Sequence, residues 1–261
     1  KHMPEPCPNS HKYDRGTVLV VAGSAEYRGA ATLTCLGALR SGAGLVCLFS
    51  VPEVIDSVAA YLPEVIFPSD ITAFLERPST SLVVGPGLGT SDATVALVES
   101  LFNQEKLPPT VVDADALTIV AAGVSLPPTP TVLTPHAGEL ARLLGHSVKD
   151  MSRMDAVEEA LEKYDCTILY KGPRTLVGTR GITKIVNSTG NAGMATAGSG
   201  DVLSGVIGTL LAQGVDTNIA AGIGAYWHGL AGDICLEEVG YGFSASQLGN
   251  MLPKARKMIM Q

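Results

Sequence analysis

The sequence is poor in the residues that staple a fold, anchor it in lipid or coat nucleic acid. Its 261 residues include five cysteines, Cys7, Cys35, Cys47, Cys166 and Cys235, scattered and odd in number. None stands at metal-ligand spacing and none sits in a motif. That argues against a disulfide framework or a zinc module and fits reduced thiols in a cytosolic protein. No run of about 18 apolar residues free of charges and breakers occurs, so no membrane span is expected. The N-terminus has no apolar signal-peptide core. Aromatics make up only 5% of the chain, there is no basic stripe, and the net charge is −7. These features argue against nucleic acid as a partner. They leave room for a nucleotide, provided that helix N-termini, one or two basic side chains and a metal hold its phosphates locally. Internal repeats are absent, and no linker is long enough to divide domains. Lys1-His2-Met3 reads as a cloning remnant, so residues 4–261 are expected to form a single domain.

What the chain has in quantity is apolar residues (46%, mean hydropathy +0.27) and 29 glycines. The apolar residues fall in short continuous runs: Val18 to Ala22, Leu45 to Phe49, Ser81 to Val84, Thr110 to Val112, Thr131 to Leu133 and Cys166 to Leu169. Continuous rather than alternating runs predict strands buried on both faces. Helical segments lie between them, ending at about Arg40, from Asp92 to Phe102, and through Leu144. Further helices are expected from Asn218 to Leu236, carrying Trp227 and His228 as packing residues, and from Ser244 to Ile259. Ser244 is a good N-cap for the last helix, and Pro253 is expected to kink or restart it. Ile182 to Val186 reads as a hairpin partner of Leu176-Val177. The pattern predicts an α/β fold, a three-layer α/β/α domain around a mainly parallel sheet, with its strand-end loops gathered on one edge.

Those loops carry the candidate chemistry. The stretch Asn187 to Leu211 opens with Gly190, Gly193, Ala197, Gly198 and Gly200 and turns helical at Val202, Leu203, Val206, Ile207, Leu210 and Leu211. The N–H groups and positive dipole end of such a helix suit an anion. Asp201 at its start either caps the helix or removes a proton beside a held phosphate. Gly85-Pro86-Gly87-Leu88-Gly89 lets backbone approach a ligand closely, or is a tight turn. Asp113 and Asp115 lie just past a strand end and point apart. One could bind metal or substrate, and the other could cap the following helix. His136 could orient a substrate, and Glu139 could hold a metal through water or complete a cap. Lys171, beside Gly172, is either a phosphate clamp or a solvated lysine. The loop Gly23 to Ala30 lacks G-x-G-x-x-G spacing, which disfavours a dinucleotide fingerprint.

Taken together, these motifs resemble the ADP- or ATP-dependent NAD(P)H-hydrate dehydratases of the ribokinase-like superfamily. The matching pieces are Gly23-Ser24 with Gly29-Ala30, Gly85 to Gly89, Asp113 to Leu117, Thr134 to Glu139, Lys171 to Thr175 and Asn191 to Asp201. They span the chain from about Lys12 to Leu248. The resemblance implies that NADH or NADPH hydrated at C6 of the nicotinamide ring loses water, with ADP or ATP consumed and Mg²⁺ as cofactor. It implies Asp201 as the base, and Asn191, Ala192, Gly193, Met194, Ala197, Gly198, Ser199 and Gly200 as the phosphate cradle. Lys171, Gly172, Pro173, Arg174 and Thr175 would lie along the nucleotide. Ala30, Gly87, Gly89, Asp115 and His136 would line the substrate pocket together with Asp201. Glu139 would take the place of the residue linked to Mg²⁺, directly or through water. The resemblance also implies a cytoplasmic homo-oligomer, a tetramer. The chain has no room for the epimerase domain that some relatives carry fused, so a separate epimerase is the expected pathway partner unless that domain was removed. Ala197 departs from the family, standing where a glycine is common, which puts the loop's geometry there in question. Two rival functions remain. A vitamin-precursor kinase of the same superfamily would use the same Asp201 but release a stable phosphate ester. A non-catalytic nucleotide-binding protein would have no need of Asp201 and Lys171.

Overall fold

A computed structural model describes residues 3–5, 9, 11–75 and 80–261. Six strands run parallel: β1 (Thr17–Val21), β2 (Leu45–Phe49), β3 (Thr80–Val84), β4 (Thr110–Val112), β5 (Thr131–Leu133) and β6 (Thr167–Tyr170). β7 (Leu176–Thr179) and β8 (Ile182–Val186) return antiparallel and complete an eight-stranded sheet of order β2-β1-β3-β4-β5-β6-β7-β8. Helices α1 (Arg28–Arg40), α2 (Pro52–Tyr61), α3 (Thr72–Leu75), α4 (Asp92–Phe102), α5 (Asp115–Ala121), α6 (Ala137–Leu144) and α7 (Arg153–Lys163) connect the first six strands. Helices α8 (Ser199–Ala212), α9 (Thr217–Glu238) and α10 (Ala245–Ile259) follow the hairpin.

The two-residue period of a strand divides the core. Val18, Val20, Val46, Leu48 and Val83 face α1, α8, α9 and α10. Their neighbours Leu19, Val21, Leu82 and Val84 face α4, α5, α6 and α7. Each of the six parallel strands is apolar on both faces because each face is covered by helices, which gives the three-layer arrangement that the continuous runs predict. α2, α3 and α7 are additions to the elements read from sequence. α10 runs unbroken through Pro253, and Ser244 caps it by accepting from the Gln247 N–H in a reciprocal capping box. No helix among the described residues is long and apolar enough to cross a membrane.

α8 is buried almost all round, wedged between α1, α9 and the sheet. The close approach of α1 and α8 depends on glycine. A Cβ on Gly37 would overlap the Val202 carbonyl, and one on Gly205 would overlap the Thr34 carbonyl and lie 2.7 Å from the Ala38 nitrogen. The two helices run side by side in the same direction, Leu33 level with Gly198 and Gly37 with Val202. Their N-termini therefore open on the same edge of the sheet.

Candidate active site

The chain leaves β1 for β2 on one side and then crosses to β3 on the other, so the loops after β1 and β3 diverge at the sheet's switch point. In open parallel sheets this crevice takes the ligand. Here the two loops are tied together, the Gly23 N–H donating to the Pro86 carbonyl at 2.8 Å. Within Gly85 to Gly89 the three glycines have different tasks. Gly85 (φ +125°) lies against the Asp113 backbone, where a Cβ would overlap the carbonyl oxygen. Gly87 (φ +64°) lies against α1, a Cβ there falling 2.7 Å from the Cβ atoms of both Ala30 and Tyr27. Only Gly89 of the three borders open space. The structure therefore brings Ala30 and Gly87 together, and leaves Gly89 as the glycine with room for a ligand.

Asp113 and Asp115 do point apart, but neither caps α5. The cap position belongs to Ala114, with φ 50° and no side-chain bond, in a conformation that a residue bearing a Cβ rarely adopts. The Asp115 carboxylate accepts the Gly89 N–H at 2.8 Å and so fixes the β3 loop. Asp113 is fully buried. One of its carboxylate oxygens lies 2.7 Å from Lys171 Nζ and the other accepts the Ser204 hydroxyl at 2.7 Å. Burial alone would raise Asp113, but the Lys171 ammonium and the hydrogen bonds from Lys171, Ser204 and Thr134 outweigh it and hold the carboxyl below its ordinary value.

Lys171, at the end of β6, is only 19% exposed, and it is no solvated lysine. Burial pushes its pKa down, yet Asp113 at 2.7 Å and Glu139 at 3.7 Å hold it above the ordinary value. A Cβ on Gly200 would sit 3.3 Å from Lys171 Nζ, so the ammonium stands beside the mouth of α8. The rest of its loop is shaped by backbone: Gly172 at φ +135°, Arg174 at φ +53°, and the Thr175 hydroxyl donating to the Gly172 carbonyl at 3.0 Å. Pro173 lies between them. Arg153, on α7, donates to the Tyr170 carbonyl at 2.6 Å and the Lys171 carbonyl at 3.3 Å, and stacks on the Tyr170 ring at 3.8 Å. Sequence reading missed Arg153. The sequence offers no motif around it, only the Ser152 cap that starts its helix.

His136 and Glu139 form a reciprocal cap at the start of α6. His136 Nδ1 accepts the N–H groups of Gly138 (3.0 Å) and Glu139 (3.3 Å), and the Glu139 carboxylate accepts the His136 N–H at 2.8 Å. As Nδ1 is an acceptor, the proton of the neutral ring is on Nε2. The ring is 55% exposed with Nε2 3.4 Å from one oxygen of the buried Glu139 carboxylate, whose other oxygen accepts the His136 N–H. Among the described residues no cluster of three or more His, Cys, Asp or Glu could by itself hold a metal ion.

α8 begins at Gly198 (φ +86°), which supplies the left-handed turn. Ala197 is not among the residues of positive φ, so its departure from glycine leaves the loop undisturbed. Ser199 and Gly200 follow as the first two helical residues; the Ser199 N–H donates to the Thr196 carbonyl at 3.3 Å, and the Gly200 N–H belongs to the unsatisfied first turn. Asp201 is third. It makes no capping bond and has no hydrogen bond or ion pair among the described residues, which removes capping as its role. Burial, then the charge of Asp113, raises Asp201 from 3.8 to about 7, with smaller contributions from Asp115 and Glu139 and an opposing one from Lys171. Upstream, Asn191 caps a single 3-10 turn, Ala192–Met194, by accepting the Gly193 N–H at 2.9 Å. Asp233, on α9, pins that turn by accepting from the Asn191 side-chain amide and the Gly190 N–H, each at 3.0 Å. Met194 fills the space left by Gly232.

Trp227 packs as expected, its indole N–H donating to the Leu252 carbonyl at 2.7 Å. His228 does more than pack. Burial pushes it down to about 4, and its Nε2 lies 2.9 Å from the Ser199 carbonyl, bracing the first turn of α8 with a neutral ring. Cys35, Cys47, Cys166 and Cys235 are buried, and burial pushes Cys35 and Cys166 up, the latter to about 12, away from nucleophilic chemistry. Cys7 lies outside the described residues. A separate cavity of about 760 Å³, bordered by Thr131, Tyr164, Thr167, Arg180 and Thr217, opens at the opposite edge of the sheet and shares no residue with these loops.

Comparison with known proteins gives the arrangement its context. Residues 18–254 match the NAD(P)H-hydrate dehydratase family. The chain is 38% identical to the ADP-dependent (S)-NAD(P)H-hydrate dehydratase of Neisseria meningitidis over 95% of its own length and 86% of that protein. It is also 38% identical to the bifunctional NAD(P)H-hydrate repair enzyme Nnr of Thermofilum pendens, over 99% of its own length but 53% of that protein. The chain thus spans about half the length of the bifunctional relatives it matches. A solved structure of the ADP/ATP-dependent NAD(P)H-hydrate dehydratase of Bacillus subtilis, co-crystallised with ATP/Mg²⁺, superposes with a TM-score of 0.87 at 30% identity, covering 98% of this chain and 94% of that one. On its sequence, its fold and the placement of its strand-end loops, this chain belongs to the NAD(P)H-hydrate dehydratase family.

Proposed function

We propose that the chain catalyses the nucleotide-dependent dehydration of the (S)-hydrate of NADH or NADPH. The observation that carries this reading is Asp201: a carboxyl with no hydrogen-bond or ion-pair partner among the described residues, poised at about 7, on the first turn of a helix whose free N–H groups and neighbouring Lys171 suit a phosphate. A base of near-neutral pKa beside an anion site is what phosphoryl transfer to an alcohol requires.

In the proposed reaction the C6 hydroxyl oxygen of the hydrate attacks the terminal phosphorus of ADP or ATP as Asp201 takes the hydroxyl proton. The bond from phosphorus to the nucleotide's bridging oxygen breaks, and the shortened nucleotide leaves. Hydroxide is a poor leaving group and phosphate a good one, so the lone pair of the ring nitrogen then expels phosphate. Loss of the neighbouring ring proton restores the dihydronicotinamide. The N–H groups of Gly200 and Asp201 and the Lys171 ammonium meet the developing phosphate charge. Asn191 to Met194 and Lys171 to Thr175 border the nucleotide, while Ala30, Gly89, His136 and Asp115 border the hydrate. Mg²⁺, when bound, neutralises phosphate charge. Glu139 would hold it through water, since one of its oxygens already accepts the His136 N–H of the α6 cap. The proposal extends to a homo-oligomer, a tetramer, in the cytoplasm. The exposed Ile182 (46%) and Val186 (55%) on edge strand β8 support a covered edge in the oligomer. An epimerase, fused in the bifunctional relatives, would act on the same hydrate.

The test is to supply purified protein with prepared NADH or NADPH hydrate, Mg²⁺ and either ADP or ATP, and follow the near-ultraviolet absorbance of the reduced ring. Recovery with one or both nucleotides is expected. No recovery with either, from folded protein, sinks the proposal, and a stable phosphate ester as product would favour the kinase reading. Asp201→Ala should bind nucleotide and lose turnover.

A further inference from the structure

Asp113 has no part in the chemistry just described, yet it is the most completely buried carboxylate of the site, 1% exposed, and both its oxygens are used. It stands at the C-terminal end of β4, between two loops that must stay in register. Toward β6 it holds Lys171 Nζ at 2.7 Å. Toward α8 it accepts the hydroxyl of Ser204, which is itself buried on the second turn of the helix whose first turn carries Asp201. Its own backbone carbonyl is packed against Gly85, at the start of the β3 loop.

We propose that Asp113 is the positioning residue of the site, pinning the Lys171 ammonium at the mouth of α8 and, through Ser204, pinning itself to the helix that presents Asp201. The inference rests on the phosphoryl-transfer reading for its consequence on turnover, but the tether is a statement about this chain alone. A lysine side chain has four rotatable carbons and samples many positions when untethered. The Lys171 ammonium is held on one side by Asp113 and on the other by Glu139 at 3.7 Å, which leaves it facing Gly200 and the open N–H groups. A phosphate arriving at α8 therefore meets a cation already in place. The buried charge of Asp113 also acts on Asp201, together with Asp115 from α5, Glu139 from α6 and Lys171 from β6.

Asp113→Asn in the full chain separates positioning from mere support. In the wild type, isotope-labelled lysine should show a slowly exchanging ammonium signal from Lys171, and this signal should be lost in Asp113→Asn. Turnover should fall by at least about tenfold, the scale of a charged hydrogen bond, while nucleotide affinity stays within about threefold, because the helix N-terminus and the lysine charge both remain. The acid limb of kcat/KM should move to lower pH as Asp201 loses a neighbouring charge. Ser204→Ala keeps the charge and loses one bond; it should lower turnover by a few-fold with the acid limb unmoved, and it carries the test if Asp113→Asn does not fold. A persistent Lys171 signal in Asp113→Asn, or a loss of thermal stability alone with turnover and pH profile unchanged, would overturn the inference. Wild-type protein that shows the ammonium signal but no dehydration would overturn the proposed function and leave the tether standing.

Discussion

Removing the proposed base should make the protein more stable, by an amount that grows as pH rises from about 4 to about 7 and is then level. Burial and nearby carboxylates hold Asp201 at about 7 against an ordinary 3.8, so ionising it in the folded state is costly. The sign follows from proton binding. Between 3.8 and about 7 the unfolded chain has released this proton and the folded chain has kept it, so stability falls as pH rises through that window and is level above it. At about 1.4 kcal/mol per pH unit the full cost approaches about 4 kcal/mol. Solvent reaching the half-buried side chain reduces this to about 2–4 kcal/mol. Asp201→Asn keeps the shape of the protonated form and cannot ionise. It should match wild type near pH 4 and exceed it by about 4–16 °C in Tm near pH 8, at about 2–4 °C per kcal/mol for a chain of this size. Thermal unfolding of both proteins without nucleotide, across that pH range, measures the difference. Equal Tm values at both ends would show that Asp201 is not strained toward the neutral form, and the argument for it as a poised base would fail with them.

Other predictions follow from the same geometry. Gly205→Ala places a methyl into the Thr34 carbonyl and 2.7 Å from the Ala38 nitrogen, so α1 and α8 must separate. The cost should be about 3 kcal/mol or more, read as a lower Tm or denaturant midpoint. Gly29→Ala, in α1 with nothing within 4 Å of the added Cβ, should instead stabilise by about 0.5–1 kcal/mol. Arg153→Ala frees the carbonyls of Tyr170 and Lys171. It should raise the KM for nucleotide several-fold by loosening the loop through Thr175, with a smaller change in kcat measured in the same assay.

The strands were legible because each is a continuous apolar run, and a run such as Thr131 to Leu133 has one reading when Pro130 ends one side and Pro135 the other. α8 was legible because a glycine-rich loop precedes an apolar helical period. α2 and α7 were missed for the opposite reason. Each buries only a narrow stripe, Val54 and Val58 in α2, and its other positions are polar or exposed. Their remaining signals were small: Pro52 at the first helical position, and Ser152 with Asp155 three residues on. In the site, the loops could be read because each follows a strand, and parallel topology then puts them on one edge. Partner choice could not be read. Lys171 and Asp113 are 58 positions apart, and Asn191 and Asp233 are 42 apart. Local pattern says nothing about which carboxylate meets which cation. The same limit explains why Asp113 and Asp115 looked equivalent in sequence, when one is an ion-paired anchor and the other holds the Gly89 loop.

The balance of charge in this site makes nucleotide binding itself a proton-coupled event. Lys171 is the cation at the mouth of α8, and its charge is already matched by Asp113 and Glu139. A phosphate that settles on the first turn of α8 brings negative charge next to Asp201, which stands at about 7 before it arrives. The added anion must raise Asp201 further, so near pH 7 binding should draw in up to about half a proton per nucleotide. Calorimetric titration in buffers of different ionisation heat reads that uptake directly. Asp201→Asn should abolish it while leaving the affinity largely intact, because Asn at this position removes the proton acceptor and leaves the helix N-terminus as it was. Binding heats that are independent of buffer in the wild type would place the phosphate away from Asp201, and would move the reacting group with it.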